Sequence, residues 1–381
     1  MSLSKASTCL LKDFCLLDLN RFKPIEFFSL LSPFLVRPVA LLLPQYYPVP
    51  ENDSWWQKGF TEWSNVTKAS PLYRNHYQPQ LPADLGFYDL RLPEVRQQQA
   101  ILAAGAGIGG FCYYHYWFRG KRILERPFTE VLWSKSPSFP FCLCWANETW
   151  TGIWHGASDR ILIDQSYGGL DDFICHFNAL LPAFKDGRYL THDGKPIFVV
   201  WRPFEVLQGE LFLETWRNLA LENGLPGIQF VGFRHASVPY RPIEHGYDAE
   251  LHFFMPPRRD HSKSDINQRL PAVYDMRELV KANFFTPREI SDGRIYPCSI
   301  PNWDNTPRSG VDGIVFENAT PELFLQQLDA LSSWASRGSA APPLMFIKSW
   351  NEWAEGNFLE PDRRFSHGFL DAVRKFRFES D

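Results

Sequence analysis

The amino-acid sequence predicts an α/β fold, a closed (β/α)8 TIM barrel with a short N-terminal appendage. Eight apolar runs of strand length alternate along the 381 residues with stretches of helix length that have one apolar face. Continuously apolar strands that alternate with helices are typical of a parallel sheet covered on both faces. Eight such units favour a closed barrel, and a doubly wound open sheet is the alternative.

The predicted strands are the eight apolar runs, at residues 39–47, 109–118, 139–146, 196–202, 228–234, 249–255, 295–300 and 344–349. The clearest predicted helices have apolar residues at helical spacing and lie at residues 93–104, 171–185, 211–223, 321–336 and 369–378. Three of these helices should end near Gly105, Gly224 and Gly338, because glycine commonly follows the last helical turn. No linker or internal repeat divides residues 39–381, which are therefore expected to form one domain.

Residues 1–38 precede the first predicted strand and are expected to form the appendage. Residues 22–36 are rich in Phe and Leu and are interrupted by Pro24 and Pro33. One interpretation is a helical piece that packs on the barrel. The other is an interfacial element that contacts a membrane surface or a partner, because its apolar side chains need cover.

Composition and charge exclude several classes of function. The net charge of −4 gives no electrostatic reason to expect binding to nucleic acid. No apolar run approaches the roughly 20 residues needed to cross a bilayer, and no secretory signal is expected at the start of the chain. The seven cysteines are scattered without a C-x-x-C pair, which favours a reducing cytoplasm over a disulfide framework or a zinc site.

Polar and aromatic side chains follow most of the predicted strands at the point where the strand ends. In a barrel these ends meet at one face, where active sites lie. Aromatic rings suit the apolar faces of sugars, and polar groups bind their hydroxyls. The sequence therefore predicts one carbohydrate pocket lined by Tyr46, His115, Trp145, Asn147, Trp303, Glu352 and Glu355. Further candidates for sugar contacts beside it are Trp117, Glu148, Arg202, Asp304, Asn351 and Trp353.

The strongest single motif is Trp-Asn-Glu-Trp-Ala-Glu-Gly at residues 350–356. Glu352 and Glu355 are three residues apart, so in a helical turn they lie on one face. Two close carboxylates repel each other, and the pKa of one of them tends to rise. The result is a protonated acid beside an ionised base, as cleavage or formation of a glycosidic bond requires.

Other chemistries have weaker support in the sequence. His115, Glu148, Asp304 and Glu352 could converge on a metal, but no recognised ligand spacing occurs, and hydrogen bonding to substrate hydroxyls is favoured instead. The phosphate-binding glycine loops of nucleotide sites and the G-x-S-x-G of serine hydrolases are missing. We therefore expect no metal and no cofactor.

Long motifs in this chain resemble the WbsX-like family. They lie at residues 43–53, 55–56, 59–63, 76–79, 81–89, 110–118, 144–148, 303–306 and 350–356. The resemblance covers almost the whole chain beyond residue 38 and adds Glu62 and Trp63, in the third of these motifs, as candidates for sugar binding. That family is linked to O-antigen, lipopolysaccharide and other bacterial surface polysaccharides and is usually described as glycosyltransferase.

The family is also similar to glycoside hydrolase family 99, the endo-α-mannosidases, which have a (β/α)8 barrel. The resemblance implies a reaction that retains anomeric configuration through an anhydro-sugar intermediate. It implies that Glu352 is the base for the sugar 2-hydroxyl and that Glu355 is the acid, then the base, at the glycosidic oxygen.

Three hypotheses follow from these observations. The first is an α-glycoside hydrolase or transglycosylase that acts on an oligosaccharide or polysaccharide. The second is a glycosyltransferase that uses an activated sugar donor. The third is a non-catalytic carbohydrate-binding barrel, which would be expected to lose one of the two glutamates.

Overall fold

The structure, a computed structural model, describes residues 36–152, 157–261, 269–340 and 342–378. Most of the predicted appendage, residues 1–35, lies outside the described residues. The first strand begins at Arg37, two residues before the predicted start of the barrel.

Eight parallel strands form a closed barrel, which confirms the predicted fold. They are β1 (Arg37–Leu42), β2 (Phe111–Phe118), β3 (Phe141–Trp145), β4 (Lys195–Val200), β5 (Gln229–His235), β6 (Ala249–Phe253), β7 (Ile295–Ser299) and β8 (Leu344–Ile347). Each strand pairs with the next, and β1 pairs with both β2 and β8, which closes the sheet. All eight predicted strands are present.

Helices surround the barrel. The described residues contain α1 (Pro50–Trp55), α2 (Glu62–Lys68), α3 (Pro93–Gly105), α4 (Arg126–Ser134), α5 (Leu170–Phe184), α6 (Gly209–Glu222), α7 (Met276–Lys281), α8 (Thr306–Ser309), α9 (Pro321–Ser336) and α10 (Gly368–Phe378). Short strands lie at Lys121–Ile123, Trp150–Gly152, Ala157–Ile163, Thr191–His192, Ala272–Asp275, Ile314–Glu317, Asn351–Glu352 and Asn357–Phe358. The five predicted helices correspond to α3, α5, α6, α9 and α10. Among the described residues, no helix is long and apolar enough to span a bilayer.

Local sequence signals fix where these helices start and stop. The hydroxyl of Thr320 accepts a hydrogen bond from the N–H of Leu323 at 3.4 Å, and Pro321 takes the first position of α9. Both features favour a helix start. Gly224 follows the end of α6 with φ +79°, a left-handed conformation that suits glycine at a helix end.

The barrel strands are buried on both faces. All eight residues of β2 are buried, and successive side chains alternate between the barrel interior and the helix layer. Tyr114 and Tyr116 face the interior, where they line a cavity. His115 and Trp117 face outward and bind side chains of α5. This alternation decides which residues of each strand can reach the site.

Candidate active site

The carboxyl ends of the barrel strands surround a cavity of about 430 Å³. Aromatic rings form much of its wall, namely Tyr114, Tyr116, Trp150, Trp201, Phe253 and Trp303. The charged side chains that line it are Glu148, Arg258, Arg308, Lys348, Glu352 and Glu355. This combination of rings and charges suits a sugar whose hydroxyls are bound by polar groups.

Glu352 and Glu355 lie on a short turn after β8. Glu352 belongs to a two-residue strand, Asn351–Glu352, and Glu355 ends a single turn of 3-10 helix, Trp353–Glu355. The turn closes at Gly356, whose φ is +53° and where a Cβ atom would come within 2.8 Å of the Asp304 nitrogen. The tight approach lets the Asp304 N–H donate to the Glu355 carbonyl at 2.7 Å.

Two buried cations bind the carboxylate pair. The Lys348 ammonium donates a hydrogen bond to Glu352 and another to Glu355, the latter at 3.2 Å. Arg308 donates to Glu355 at 2.7 Å and, with its other terminal nitrogen, to Glu62 at 2.5 Å. Because one ammonium contacts both carboxylates, the two acids are immediate neighbours.

The pKa values of the two carboxyl groups are displaced in opposite directions. Burial and the neighbouring charge of Glu355 raise the pKa of Glu352 to about 8, against the attraction of Lys348. Burial also acts to raise the pKa of Glu355, but Lys348 and Arg308 outweigh it and lower that pKa to about 2. These opposite displacements favour the protonated form of Glu352 and the ionised form of Glu355 in the resting site.

This resting arrangement is the reverse of the roles that the family resemblance implies. A base at Glu352 has to be ionised, and an acid at Glu355 has to carry the proton. Both groups are in hydrogen-bonding contact with each other as well as with Lys348, so a single proton can pass between them.

The structure brings only part of the predicted pocket together. Of the seven residues predicted to line it, Trp303, Glu352 and Glu355 do so, and Glu148 is also part of the wall. Tyr46, His115, Trp145 and Asn147 do not line the cavity, which corrects their predicted place. His115 and Trp145 face the helix layer instead, and Tyr46 and Asn147 bind loop backbone behind the cavity wall.

His115, Trp117 and Trp145 face away from the site. His115 and His176 of α5 are 2.8 Å apart between their Nε2 atoms, and Trp117 donates to Asp172 at 2.9 Å. The Trp145 ring packs on His176 with a centroid distance of 4.8 Å. These residues occupy the outward positions of β2 and β3, so they stabilise the contact with α5.

Asn147, Asn351 and Tyr46 fasten loops behind the cavity wall. The Asn147 amide accepts from the Arg202 N–H and donates to the Arg202 carbonyl, both at 2.8 Å. Asn351 binds both backbone groups of Leu43 in the same way, at 2.7 and 3.1 Å. The Tyr46 hydroxyl contacts the backbone of Asn351 and of Trp353. The hydrogen bonds of Asn351 and Tyr46 therefore fix the position of the backbone that carries Glu352 and Glu355.

Trp63, Trp353 and Glu62 also lie behind the wall. The Trp63 ring packs on Trp353 at 5.7 Å, and Trp353 stacks on Phe358 at 3.8 Å. Glu62 is fully buried and accepts from Arg308 and from the Ala354 N–H at 3.2 Å. Glu62 therefore fixes the arginine that binds Glu355.

Arg202 and Asp304 flank the cavity without lining it. Arg202 donates to Glu148 at 3.1 Å and to Glu205 at 2.6 Å. Asp304 accepts from His76 and Gln78, both at 2.7 Å, and lines a neighbouring cavity of about 360 Å³. Trp303 lines both cavities and separates them.

Sequence reasoning missed several polar residues of the wall, among them Tyr114, Tyr116, Arg308 and Lys348. Strand parity separates the two tyrosines from His115 and Trp117, but on a strand buried on both faces it does not tell which set faces the interior. Arg308 and Lys348 carry no comparable signal, since their role depends on contacts across the barrel. Among the described residues, no group of three or more His, Cys, Asp or Glu side chains could hold a metal ion.

Solved structures share this architecture. The endo-α-mannosidase of glycoside hydrolase family 99 from Bacteroides thetaiotaomicron has a TM-score of 0.53 and 14% identity, with 90% of this chain and 97% of that chain covered. A second structure, described as a glycoside hydrolase-like protein, has a TM-score of 0.56 and 13% identity over 93% of this chain and 99% of that chain. The fold is therefore that of these hydrolases, and together with the family match it defines a carbohydrate-active enzyme with a (β/α)8 barrel.

The family follows from the sequence match. Residues 38–373 match the family described as Glycosyltransferase WbsX, and the chain belongs to that family. The uncharacterized protein WxcX of Xanthomonas campestris pv. campestris, in strains B100 and ATCC 33913, is 40% identical over 347 residues. That match covers 88% of this chain, and the chain spans about half the length, 49%, of these relatives.

Proposed function

We propose that the chain breaks or transfers an α-glycosidic, mannoside-like bond of a bacterial surface polysaccharide with retention of configuration. The observation that carries the proposal is the carboxylate pair: two adjacent acids, both bound by Lys348, lie at the wall of a ring-lined cavity, and their pKa values are displaced in opposite directions. Such a pair supplies one acid and one base, the division that glycosidic bond chemistry needs.

In the proposed reaction Glu352 removes the proton of the sugar 2-hydroxyl while that oxygen attacks the anomeric carbon. The glycosidic bond breaks, and Glu355 gives its proton to the departing oxygen. In the second half Glu355 takes a proton from water or from an acceptor hydroxyl. That oxygen opens the anhydro ring at the anomeric carbon, and Glu352 returns its proton to the 2-oxygen.

The scheme requires the resting proton to move from Glu352 to Glu355 when the sugar binds. A sugar 2-hydroxyl that donates a hydrogen bond to Glu352 favours the ionised form of that carboxyl. The proton then goes to the neighbouring Glu355. Substrate binding therefore sets the protonation state that the reaction uses.

The test compares Glu355→Gln and Glu352→Gln on two kinds of substrate. Loss of a general acid or base typically lowers the rate by about 10²–10⁴. Glu355→Gln should lose activity on alkyl α-mannosides. It should keep part of its activity on a glycosyl fluoride, because the fluoride ion leaves without being protonated. Glu352→Gln should lose activity on both.

Two results would contradict this division of roles. A sugar ester trapped on Glu352 would indicate ordinary double displacement. Full activity of both variants would remove the pair from the chemistry. A substrate without a 2-hydroxyl should not react even with the native enzyme, because its internal nucleophile is missing.

The second candidate function is a glycosyltransferase that uses an activated sugar donor, which the family description favours. Thermal shifts with nucleotide sugars against manno-oligosaccharides separate the two. A ligand at about 100 times its Kd adds about 2.7 kcal/mol to the free energy of unfolding. Stabilisation by nucleotide sugars alone supports the transferase.

We also propose that the protein works in the cytoplasm. The buried thiols of Cys112, Cys142, Cys144 and Cys298 are free, which fits a reducing compartment.

A further inference from the structure

The end of β8 brings a buried lysine to the centre of the site. The Lys348 side chain is 4% exposed, and its ammonium donates to both Glu352 and Glu355. A lysine is rarely buried unless it is paired. This one is paired with both members of the carboxylate pair at once.

Aromatic rings and backbone hydrogen bonds fix the position of this ammonium. It lies 5.0 Å from the ring centre of Trp303 and 5.8 Å from those of Trp201 and Phe253, within the range of cation–π attraction. The Lys348 N–H donates to the Ser299 carbonyl at 3.0 Å, and the Lys348 carbonyl accepts from Asn357 at 2.7 Å. The backbone of Lys348 and the ammonium at the end of its side chain are therefore both held in place.

The charges around the ammonium show why its position matters. The titratable and charged groups that face the pair from the surrounding elements are Glu62, Tyr114, Tyr116, Glu148, Cys298 and Arg308. Arg308 is divided between Glu355 and Glu62. Lys348, which donates to both carboxylates, consequently offsets the repulsion between Glu352 and Glu355 at each of them.

We propose that Lys348 is a positioning residue of the carboxylate pair, whose ammonium holds the two acids side by side and sets the pH range over which they share one proton. This inference rests on the proposed function only in taking the pair as the reacting groups. The contacts of Lys348 with both carboxylates stand independently of the substrate.

The primary test follows the two carboxyl groups directly by nuclear magnetic resonance. The full chain is labelled with ¹³Cδ-glutamate and titrated as the native protein and as Lys348→Met, with Glu352→Gln and Glu355→Gln used for assignment. Loss of an opposite charge at this range raises a carboxyl pKa by about 1–3 units. We expect the midpoints of the pair to rise by that amount, and unchanged midpoints would overturn the proposal.

Lys121→Met is the matched control. Lys121 is also ion-paired, to Glu51 at 2.8 Å, but its side chain is 51% exposed and outside the cavity. The Lys121→Met substitution should leave the titration midpoints of Glu352 and Glu355 unchanged. Lys348→Arg, which keeps the charge, should return them toward the native values, and a rise as large as that of Lys348→Met would overturn the role of the charge.

A reciprocal measurement covers the case in which Lys348→Met does not fold. In Glu352→Gln/Glu355→Gln the ¹³Cε signal of Lys348 should titrate at lower pH than in the native protein, because a buried ammonium has lost both anions. An unchanged Lys348 midpoint would overturn the proposal.

Activity gives a separate readout. If the native protein cleaves α-mannosides, both limbs of its pH profile should move to higher pH in Lys348→Met. If no glycosidic activity is found but the carboxyl midpoints still rise, the proposed function fails and the role of Lys348 stands.

Discussion

Arg308→Met is expected to destabilise the protein far more than the loss of a surface arginine with the same geometry. Arg308 is 6% exposed, and its 2.5 Å partner Glu62 is fully buried. Removing one partner of a buried ion pair typically costs about 3–5 kcal/mol, because the other charge is left uncompensated. In the variant, Glu62 keeps the hydrogen bond from the Ala354 N–H but loses its ion pair, so we expect a loss in that range at pH 8.

The loss should depend on pH in a defined direction. Burial already raises the pKa of Glu62 in the native protein, against the charge of Arg308. Without Arg308 that pKa rises further, so the protonated carboxyl persists to higher pH in the folded state than in the unfolded chain. The penalty should therefore be smaller at pH 5, where more of the Glu62 carboxyl is protonated, and larger at pH 8.

Urea unfolding at both pH values measures the effect, with two variants for comparison. Arg277→Met removes an arginine that is also 2.5 Å from its partner, Asp275, but is 63% exposed, so stability should hardly change. Glu62→Gln/Arg308→Met should recover most of the loss, because no buried charge remains unpaired. A loss in Arg308→Met no larger than that in Arg277→Met would refute the reasoning.

Three further predictions concern pH and packing. Burial raises the pKa of Glu360 from 4.5 to about 7, so its contribution to stability should be lost between those values, about 3 kcal/mol in all. The free energy of unfolding of Glu360→Gln, measured with urea, should lack this pH-dependent component. A pH dependence equal to that of the native protein would contradict the prediction. Activity should fall above pH about 8 as Glu352 releases its proton, and a flat kcat/KM from pH 7 to 10 would argue against the shared proton. Trp117→Phe loses the hydrogen bond to Asp172 and should cost about 1 kcal/mol of stability, while a changed KM would show that Trp117 reaches the substrate.

The barrel was predictable because its strands are continuously apolar and its helices have one apolar face. Both patterns follow directly from burial on two faces or on one. Strand ends were predictable to within a few residues, as at Arg37 and Ile347. The alternative of an open sheet could be rejected only when β1 was seen to pair with β8.

The candidate site was predictable only in part. Glu352 and Glu355 stand out because a local motif places them together, and local spacing can be seen in a sequence. His115 and Trp117 were misplaced because a strand that is apolar on both faces gives no sign of which face is inside. Arg308 lies 246 residues from Glu62, so their contact exists only in the folded chain.

The contact between Asn351 and Leu43 joins the turn after β8 to the segment after β1. The two residues are 308 positions apart, yet their hydrogen bonds hold the backbone of the turn that carries Glu352 and Glu355. A chain growing on the ribosome therefore has its first strand long before the partner that must lock onto it. Contacts of such long range form late, after the entropy of closing the loop has been overcome. Until synthesis passes residue 355 the nascent chain lacks one or both members of the carboxylate pair, and the two are held in place only once the barrel closes.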